Sequence, residues 1–560
     1  MSVGAVPPGS LLELLQNRGY SGSDAIQNLL YPKLSDLKDP FLLKDLSLAV
    51  DRLERAFAAK EKICIYADFD LDGTSGLALM WTGLRQLGFE TVLRYQPKRL
   101  SEGYGFHREA VEELHRQGVT LIVTVDVGIT AHAACERAKE IGMDVVLTDH
   151  HLPSETLPPA YAVVNPNQGD DSSGLGYLCG AGVAFTLLRG LKKRFHEKGI
   201  AEALDLKALL DYFTIATLTD MVPLIDDNRV LVKHGLVVLA ETQRPGLRAL
   251  LDALELSGRP LTSQDVAIRF APKLNALSRM ENGVLPIDIL LCEDRATARE
   301  LMKVVLENNS TRVQLQADAE QKAMELLKDW TEQDFVFVAS EHFHRGIVGL
   351  IATKLAQNFN RPAFVGSLDP QEGIIVGSAR LPQGSDGCLV EALGAGASVL
   401  ARFGGHSAAA GFEVHLPKVE ALNSSLKGHF ESLRRQPRPL EIKYDLEMSL
   451  RGLDATFMKW HDFMGPYGVG FEIPLFRFKD VQLRGVRTLK GGHLKLQISD
   501  LSGRSSVDAL LFSPAARQVE LVGGASAGSF EILGELQWNY YNGQKTMQIL
   551  VRDLKVQAWQ

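Results

Sequence analysis

The sequence predicts an α/β protein in four parts: a doubly wound parallel sheet, a helical connector, a second α/β unit and a carboxyl-terminal β-barrel of OB type. Three observations predict it. From Ile63 to about Pro166, short β-rich runs alternate with helical patterns, the rhythm of parallel βαβ units. A polar-apolar run near Arg295 to Asp329 reads as one rod joining two lobes. Beyond about residue 440, alternating short strands are separated by glycine turns, as a small barrel requires.

Taken in order, the residues before Ile63 form a helical lead-in broken at Asp39-Pro40, and the strands follow as ICIYADFD, TVLRYQP, LIVTVDVG, DVVLTDH and YAVVNP. After Gly180 the pattern stays helical to about Leu327. DFVFVAS, RPAFVG and GIIVGSAR then read as strands, and GIVGLIATKLAQ and CLVEALGAGASVL as helices. RRQPRP (434–439) is a proline-broken basic linker, and DVQLRGVRTL, HLKLQISD, SSVDALLF, SFEILGELQW and KTMQILVRDLKV are the barrel strands. The expected domains are therefore 1–240, a connector over 241–330, then 331–432 and 440–560. A chain of 560 residues, 45% apolar and 23% charged, is long enough for several cores.

Composition narrows the function classes. The five cysteines show no CxxC pair, which argues against a zinc ribbon or a disulfide framework and fits a reducing compartment. MSVGAVPPGSLLELLQ lacks the charge and apolar pattern of a secretory leader, and no apolar run approaches a membrane span; the expected compartment is the cytoplasm. The net charge of −8 sits awkwardly with phosphate binding, which needs local positive potential. Distribution matters more: 477–495 carries Arg477, Lys479, Arg484, Arg487, Lys490 and Lys495 against Asp480 alone.

The strongest signal is ADFDLDGTSG (67–76), which puts Asp68, Asp70 and Asp72 where the first strand meets a helix. Helix capping asks for one such residue; three mutually repelling carboxylates ask for cations. A calcium-loop lookalike or a solvated turn would explain the motif standing alone. It does not stand alone: Asp126 ends the third strand, and Asp149, His150 and His151 end the fourth. In a doubly wound sheet those carboxyl ends face one crevice, so five aspartates and two histidines converge there. Carboxylate and imidazole ligands without thiolate suit Mn²⁺ and Mg²⁺, and a site for two ions hydrolyses phosphodiesters without a nucleophilic side chain. Cys64, inside the first strand, reads as core.

These residues resemble the DHH phosphoesterase superfamily, named for the Asp149, His150, His151 triplet, and within it the RecJ exonucleases. The match covers nearly the whole chain: YADFDLDGTSG (66–76), KRLSEGYGF (98–106), TVDVGI (124–129), TDHH (148–151), NPN (165–167), LCGAGVAF (178–185), TLTDMVPL (217–224), RFAPKLNALSRM (269–280), HRGIVGLIATKL (344–355), GSAR (377–380), FGGHSAAAGF (403–412) and GPYGVG (465–470). The resemblance implies a DHH catalytic domain and a DHHA1 second lobe. It implies a 5′→3′ exonuclease on single-stranded DNA that releases 5′ mononucleotides with Mn²⁺ or Mg²⁺, two ions, in recombination and repair. By the same resemblance Asp70, Asp72, Asp126, Asp149, His150 and Asp220 are metal ligands, and Asp68 and His151 stand beside them. The implied partners are a single-stranded-DNA-binding protein and a recombination helicase, and the expected state is a monomer.

The resemblance also assigns Ser378, Arg380, Gly404, Gly405 and His406 to the DNA end and its phosphates. Arginine forks phosphate and glycine permits close backbone approach, although GGH before an alanine run reads, by itself, as a helix start. Arg99 and Tyr104 offer a cation and a stacking ring beside the site, or a plugged turn. Arg279 is a further phosphate contact; family members commonly read AAGRM where this chain has Leu277 and Ser278 before Arg279 and Met280. In the barrel, Trp538, Tyr540 and Tyr541 beside the basic stretch suit an unpaired strand. Two other readings stand beside this one: a DHH phosphodiesterase for short oligonucleotides or cyclic dinucleotides, and a non-catalytic DNA-binding scaffold. About 120 residues beyond the linker favour a polymeric substrate over the first, and intact ligand positions speak against the second.

Overall fold

The computed structural model describes residues 7–557 apart from 100–101, 201–202, 281–282, 332, 383, 386, 433–441, 515, 524–528 and 542–543. The predicted basic linker 434–439 and the side chain of Tyr541 lie outside the described residues. The chain opens with Gly9–Asn17 (α1), Ser23–Leu30 (α2) and Leu46–Ala58 (α3). It then alternates: Ile63–Ala67 (β1), Leu71–Gln86 (α4), Val92–Tyr95 (β2), Arg108–Arg116 (α5), Leu121–Val125 (β3), His132–Glu140 (α6), Asp144–Thr148 (β4) and Ala162–Val164 (β5).

The five strands are parallel in the order β2-β1-β3-β4-β5, so the direction of winding reverses between β1 and β3, where such sheets bind ligands. Period-two alternation fills both faces. Ile63, Ile65, Ala67, Leu121, Val123 and Val125 enter the core with α3 and α4, whereas Cys64, Tyr66 and Ile122 enter the one with α5 and α6. The sheet is doubly wound as predicted, and Cys64 is core.

Helices follow: Gly180–Glu197 (α7), Leu210–Asp220 (α8), Asp226–Ala240 (α9), Pro245–Ala253 (α10), Ala271–Met280 (α11), Pro286–Leu290 (α12) and the rod Arg295–Leu326 (α13). The second lobe comprises Val336–Ser340 (β6), Val348–Phe359 (α14), Ala363–Asp369 (β7), Ile374–Arg380 (β8), Leu389–Gly394 (α15), Leu400–Gly405 (β9), Ala409–His415 (β10) and Val419–Ser432 (α16). Its sheet runs β6-β7-β8-β10-β9 and is antiparallel apart from β6 with β7. Two expectations fail here. The predicted helix over 388–400 stops at Gly394, because Gly394 and Gly396 weaken it and Leu400 already belongs to β9. GGH is no helix start: Gly404 and Gly405 end β9, and the His406 amide bonds the Ala409 carbonyl across a tight hairpin.

The last domain adds Leu446–Met448 (β11), Ala455–Met464 (α17), Leu475–Thr488 (β12), Leu494–Asp500 (β13), Ser506–Leu511 (β14), Ser529–Tyr541 (β15) and Gln544–Gln557 (β16). β12-β13-β14-β16-β15 closes on itself through β12–β15, a five-stranded OB-like barrel. Its core includes Leu11, Leu14, Leu15, Ile26, Leu29 and Leu30, so α1 and α2, which the sequence groups with residues 1–240, pack against the other end of the chain. Arg18 forks Asp445 at 2.7 and 2.9 Å. From α9, Arg229 and Lys233 donate to carbonyls at the end of α17, including Phe463 at 2.6 Å and Pro466 at 3.0 Å, where unsatisfied carbonyls and the helix dipole favour cations. Among the described residues no helix is long and apolar enough to cross a membrane.

Candidate metal centre

The backbone ladder itself gathers the acids. The amide of Asp68 bonds the Val125 carbonyl, that of Asp126 the Thr148 carbonyl, and that of Asp149 the Val164 carbonyl. Each aspartate is thus the first residue beyond its strand, and three carboxylates share one edge of the sheet. Asp70 caps α4, accepting from the amides of Asp72 at 2.9 Å and Gly73 at 3.0 Å. A side chain at position 73 would come within 2.5 Å of the Asp68 carbonyl oxygen, so glycine is required there. Asp72, buried, is held at the start of α7 by the amides of Gly180 at 2.6 Å and Ala181 at 2.9 Å. Asp126 has φ +62°, a left-handed conformation that aspartate tolerates at modest cost, and its Cβ leaves no room for any side chain at Gly180. Asp220 ends α8, with Met221 turning the chain at φ +59°.

The ligand atoms converge in three overlapping sets, each within 4.8 Å: Asp68, Asp70 and Asp126; Asp72, His150 and Asp220; Asp126, His150 and His151. Asp126 and His150 each occur in two sets; the carboxylate of Asp126 has oxygens enough to serve two neighbouring cations, whereas the single lone pair of His150 would serve one. His150 Nε2 lies 3.2 Å from Asp126 Oδ1, 3.7 Å from Asp220 Oδ2 and 3.8 Å from Asp72 Oδ2. Asp68 Oδ1, Asp126 Oδ1 and Asp220 Oδ2 are buried without a hydrogen-bond partner. Carboxylate oxygens are not left so, and hard divalent cations fit them.

The titration behaviour says the same. Burial and the charge of Asp70 push Asp68 up to about 8 and Asp220 up to about 6, and Asp72 and Asp126 rise too through burial and their acidic neighbours. Burial lowers His150 to about 4, leaving a neutral imidazole with a free lone pair. His151 behaves oppositely: burial disfavours its charge, but the bond to Asp149 and the surrounding carboxylates outweigh this and push it up to about 9.

Asp149 differs from the other acids. Its carboxylate accepts from the amides of Ile129, His150 and His151 and from His151 Nδ1 at 2.7 Å. Three of these donors meet on Oδ1 and one on Oδ2, and Asp149 is in none of the three sets. Asn165 and Asn167, the asparagines of NPN, donate to the carbonyls of His151 and His150. They and Gln96, which bonds the Asp68 carbonyl and Thr74 Oγ1, support the site without being recognisable from residue type.

The second lobe reaches the same crevice through the hairpin. The His406 ring stacks on His151 with centroids 5.6 Å apart, and Tyr104, half exposed, meets His151 edge-on at 5.8 Å. Arg99 lies over Phe69 at 4.9 Å. Arg279 donates to the Gly346 carbonyl at 2.9 Å and Arg380 to that of Ala379 at 2.8 Å. Burial and the charges of Arg99, Arg380 and Arg312 lower Arg279 to about 9; burial and Arg99 lower Arg380. Any side chain at Gly349 would press on Arg380 and Ser378. The structure thus brings Arg99 and Arg279 within charge–charge reach of the acids and His406 onto His151, with Arg380 near those arginines and Ser378 near Arg380, while Gly404 has open space around it and Gly405 takes φ +141°. Ser278 lies within α11 with its hydroxyl on the Asn275 carbonyl, so the position needs no glycine. In the barrel the basic stretch is partly spent: Arg477 pairs with Glu531, Lys479 with Glu447 and Lys495 with Asp508.

Family models agree with this anatomy: the DHH family N-terminal domain matches residues 62–217, the DHHA1 domain 333–432 and the RecJ OB domain 444–553. The single-stranded-DNA-specific exonuclease RecJ of Dickeya dadantii is 32% identical over 98% of this chain and 96% of its own length. The chain belongs to the RecJ family. The RecJ of Bacillus subtilis is also 32% identical, over 98% of this chain and 68% of its own. The crystal structure of Thermus thermophilus RecJ in complex with Mn²⁺ superposes with a TM-score of 0.78 at 28% identity, covering 98% of this chain and 78% of that one; its complex with Mg²⁺ gives 0.72 at 26%, covering 98% and 77%. These likenesses extend over all the domains rather than the catalytic one alone.

Proposed function

We propose that the chain is a metal-dependent exonuclease specific for single-stranded DNA, working 5′→3′, releasing 5′ mononucleotides and serving recombination and repair. One observation carries this reading: buried carboxylates with orphaned oxygens lie within charge–charge reach of the guanidinium groups of Arg99 and Arg279, an arrangement that suits a phosphodiester whose reacting and neighbouring phosphates are held together. Asp68, Asp70, Asp72, Asp126, His150 and Asp220 are the residues we assign to two Mn²⁺ or Mg²⁺ ions. When bound, such ions lower the pKa of a water and clamp the attacking and leaving oxygens of an in-line displacement. Asp149 we assign to orienting His150 and His151, as carboxylates behind metal-ligating histidines do, rather than to an ion. His151, charged and braced by His406, faces the developing negative charge at phosphorus. Arg99, Arg279, Ser378 and Arg380 hold the terminal phosphate, Gly404 and Gly405 leave the backbone open to it, and Tyr104 stacks on the terminal base.

Trp538 and Tyr540 on the barrel are assigned to the distal strand. In this reading the enzyme is a cytoplasmic monomer whose protein partners are a single-stranded-DNA-binding protein and a recombination helicase. The deciding experiment is a digestion time course in Mn²⁺ with single-stranded and duplex DNA labelled at either end. Immediate release of a labelled 5′ mononucleotide from the single strand alone is expected. Early release of the 3′ label would overturn the polarity, and activity confined to dinucleotides or cyclic dinucleotides would move the chain to the small-substrate reading.

A further inference from the structure

Away from the metal centre, the far halves of two ligand-bearing helices meet in a cleft of about 470 Å³. α4, which carries Asp72, brings Trp81 and Arg85, and α8, which ends at Asp220, brings Tyr212. The start of α10 adds Arg244, and the turn after α12 adds Leu291 and Glu293. Trp81 lies nine residues along α4 from Asp72, and Tyr212 eight residues along α8 from Asp220. At 1.5 Å per residue the cleft is therefore roughly 12 Å or more from the metal centre along both helices. Its Tyr212 wall is fixed and balanced. The Tyr212 hydroxyl donates to the Leu290 carbonyl at 2.8 Å, and Arg244, 4.2 Å over the ring, pairs with buried Asp211 at 2.8 Å. The Trp81 wall is fixed but not balanced. The indole donates to the Val92 carbonyl at 3.2 Å, and two guanidinium groups lie over its ring, Arg85 at 4.3 Å and Arg94 of β2 at 4.9 Å. Both are exposed, and among the described residues neither has a hydrogen bond or a carboxylate partner. Two like charges held over one ring attract an anion that the chain itself does not supply. Glu293, exposed in the same cleft, has no ion pair among the described residues either.

We propose that this cleft binds a nucleoside 5′-monophosphate, at a site separate from the metal centre. The phosphate goes to Arg85 and Arg94, whose planar guanidinium groups grip it with parallel bonds. The base is a flat body that packs against aromatic rings and guanidinium planes, here those of the Trp81 and Tyr212 walls, with Leu291 beside them. Glu293 accepts from a sugar hydroxyl or a base amino group, donors that inorganic phosphate lacks. The volume is in the range of small-ligand sites, which combine apolar walls with a few polar groups. Two sources supply such a ligand: the mononucleotide released by strand hydrolysis and the ribonucleotides of the cell. A carboxylate that reaches the sugar tells them apart by the 2′-hydroxyl.

The test titrates AMP, dAMP, adenosine and inorganic phosphate into the full chain in the presence of a chelator, read by tryptophan fluorescence and by calorimetry. No turnover is involved, so the result is separate from the exonuclease reading. AMP or dAMP should bind saturably and quench fluorescence, with adenosine and inorganic phosphate each about tenfold weaker or more. In Trp81→Phe the quenching should vanish while calorimetric binding persists, because the ring remains. Arg85→Gln, at an exposed position whose one recorded contact is the Trp81 ring, should keep its melting temperature and weaken AMP about tenfold while leaving adenosine unchanged. Equal binding of AMP and dAMP assigns the site to the reaction product; AMP tighter by about tenfold assigns it to ribonucleotides, with Glu293 on the 2′-hydroxyl. Binding of both nucleotides weaker than the order of 1 mM would overturn the proposal. So would inorganic phosphate binding as tightly as AMP, or a short peptide with a free carboxyl end binding more tightly. Quenching that survives Trp81→Phe, together with affinity that survives Arg85→Gln, would place the nucleotide elsewhere and overturn it too.

Discussion

The two ends of one parallel sheet bury charge under opposite rules. At the amino ends of the strands Arg52, 7% exposed in its side chain, forks Glu61 at 2.7 and 3.2 Å and reaches Asp144 at 2.6 Å, while Thr120 completes Glu61. Every charge there has its partner. At the carboxyl ends Asp68, Asp72, Asp126 and Asp220 crowd together, and three of them keep a buried oxygen with no hydrogen-bond partner. Balanced charge marks structure; unbalanced charge marks where something else belongs.

The sharpest way to break that contrast is Asp126→Asn, since asparagine keeps the left-handed backbone while removing the charge. Hydrolysis should fall by on the order of 10³-fold or more, about 4 kcal/mol of barrier, with single-strand binding retained. The metal-free protein should melt no lower than wild type, because one of several repelling carboxylates has gone. Turnover at wild-type rate would remove Asp126 from the site. Asp149→Asn tests a milder claim. If Asp149 orients the two histidines, Mn²⁺ affinity should drop about 10- to 100-fold and activity should recover at high Mn²⁺; loss that no Mn²⁺ concentration repairs would make Asp149 a ligand after all.

Asp149 also marks where the sequence stops being informative. The strand-end acids were legible because parallel strands of known order fix which ends meet, and Asp68, Asp126 and His150 follow from that alone. Whether a carboxylate at such an end faces the crevice or turns back on its own loop depends on which amides reach it, and no spacing rule encodes that. The hairpin carrying His406 was hidden for a related reason: in SVLARFGGHSAAAGF alanine and glycine carry little preference, so pairing with β8 decides the conformation. The docking of α1 and α2 on the barrel is a contact across more than 400 residues, as Arg18 with Asp445 shows, beyond the reach of local pattern.

At the balanced end of the sheet, Arg52→Ala should cost about 2–3 kcal/mol, below the full value of a buried pair because Asp144 is partly exposed. Urea denaturation followed by tryptophan fluorescence would measure it. Activity per folded molecule should not change, and an activity loss matching that of Asp126→Asn would end the distinction between the two ends.

The smallest effect is the most diagnostic, because it follows the unbalanced charge directly. Asp68 and Asp220 titrate near 8 and 6 in the folded chain but near 3.9 when unfolded. Between those limits the folded protein binds more protons than the unfolded one, so its stability falls as pH rises. The contribution is fully present below about pH 4 and lost through pH 8. In the presence of a chelator, the melting temperature should therefore decline between pH 6 and 8.5, by on the order of 5 °C. Mn²⁺ competes with those protons, so its stabilising effect should grow over the same interval and its binding should release protons. Arg52→Ala should show the same decline and Asp68→Asn a shallower one. A metal-free melting temperature that rises from pH 6 to 8.5 would mean that these carboxylates are balanced by something other than an ion, and the contrast between the two ends of the sheet would disappear.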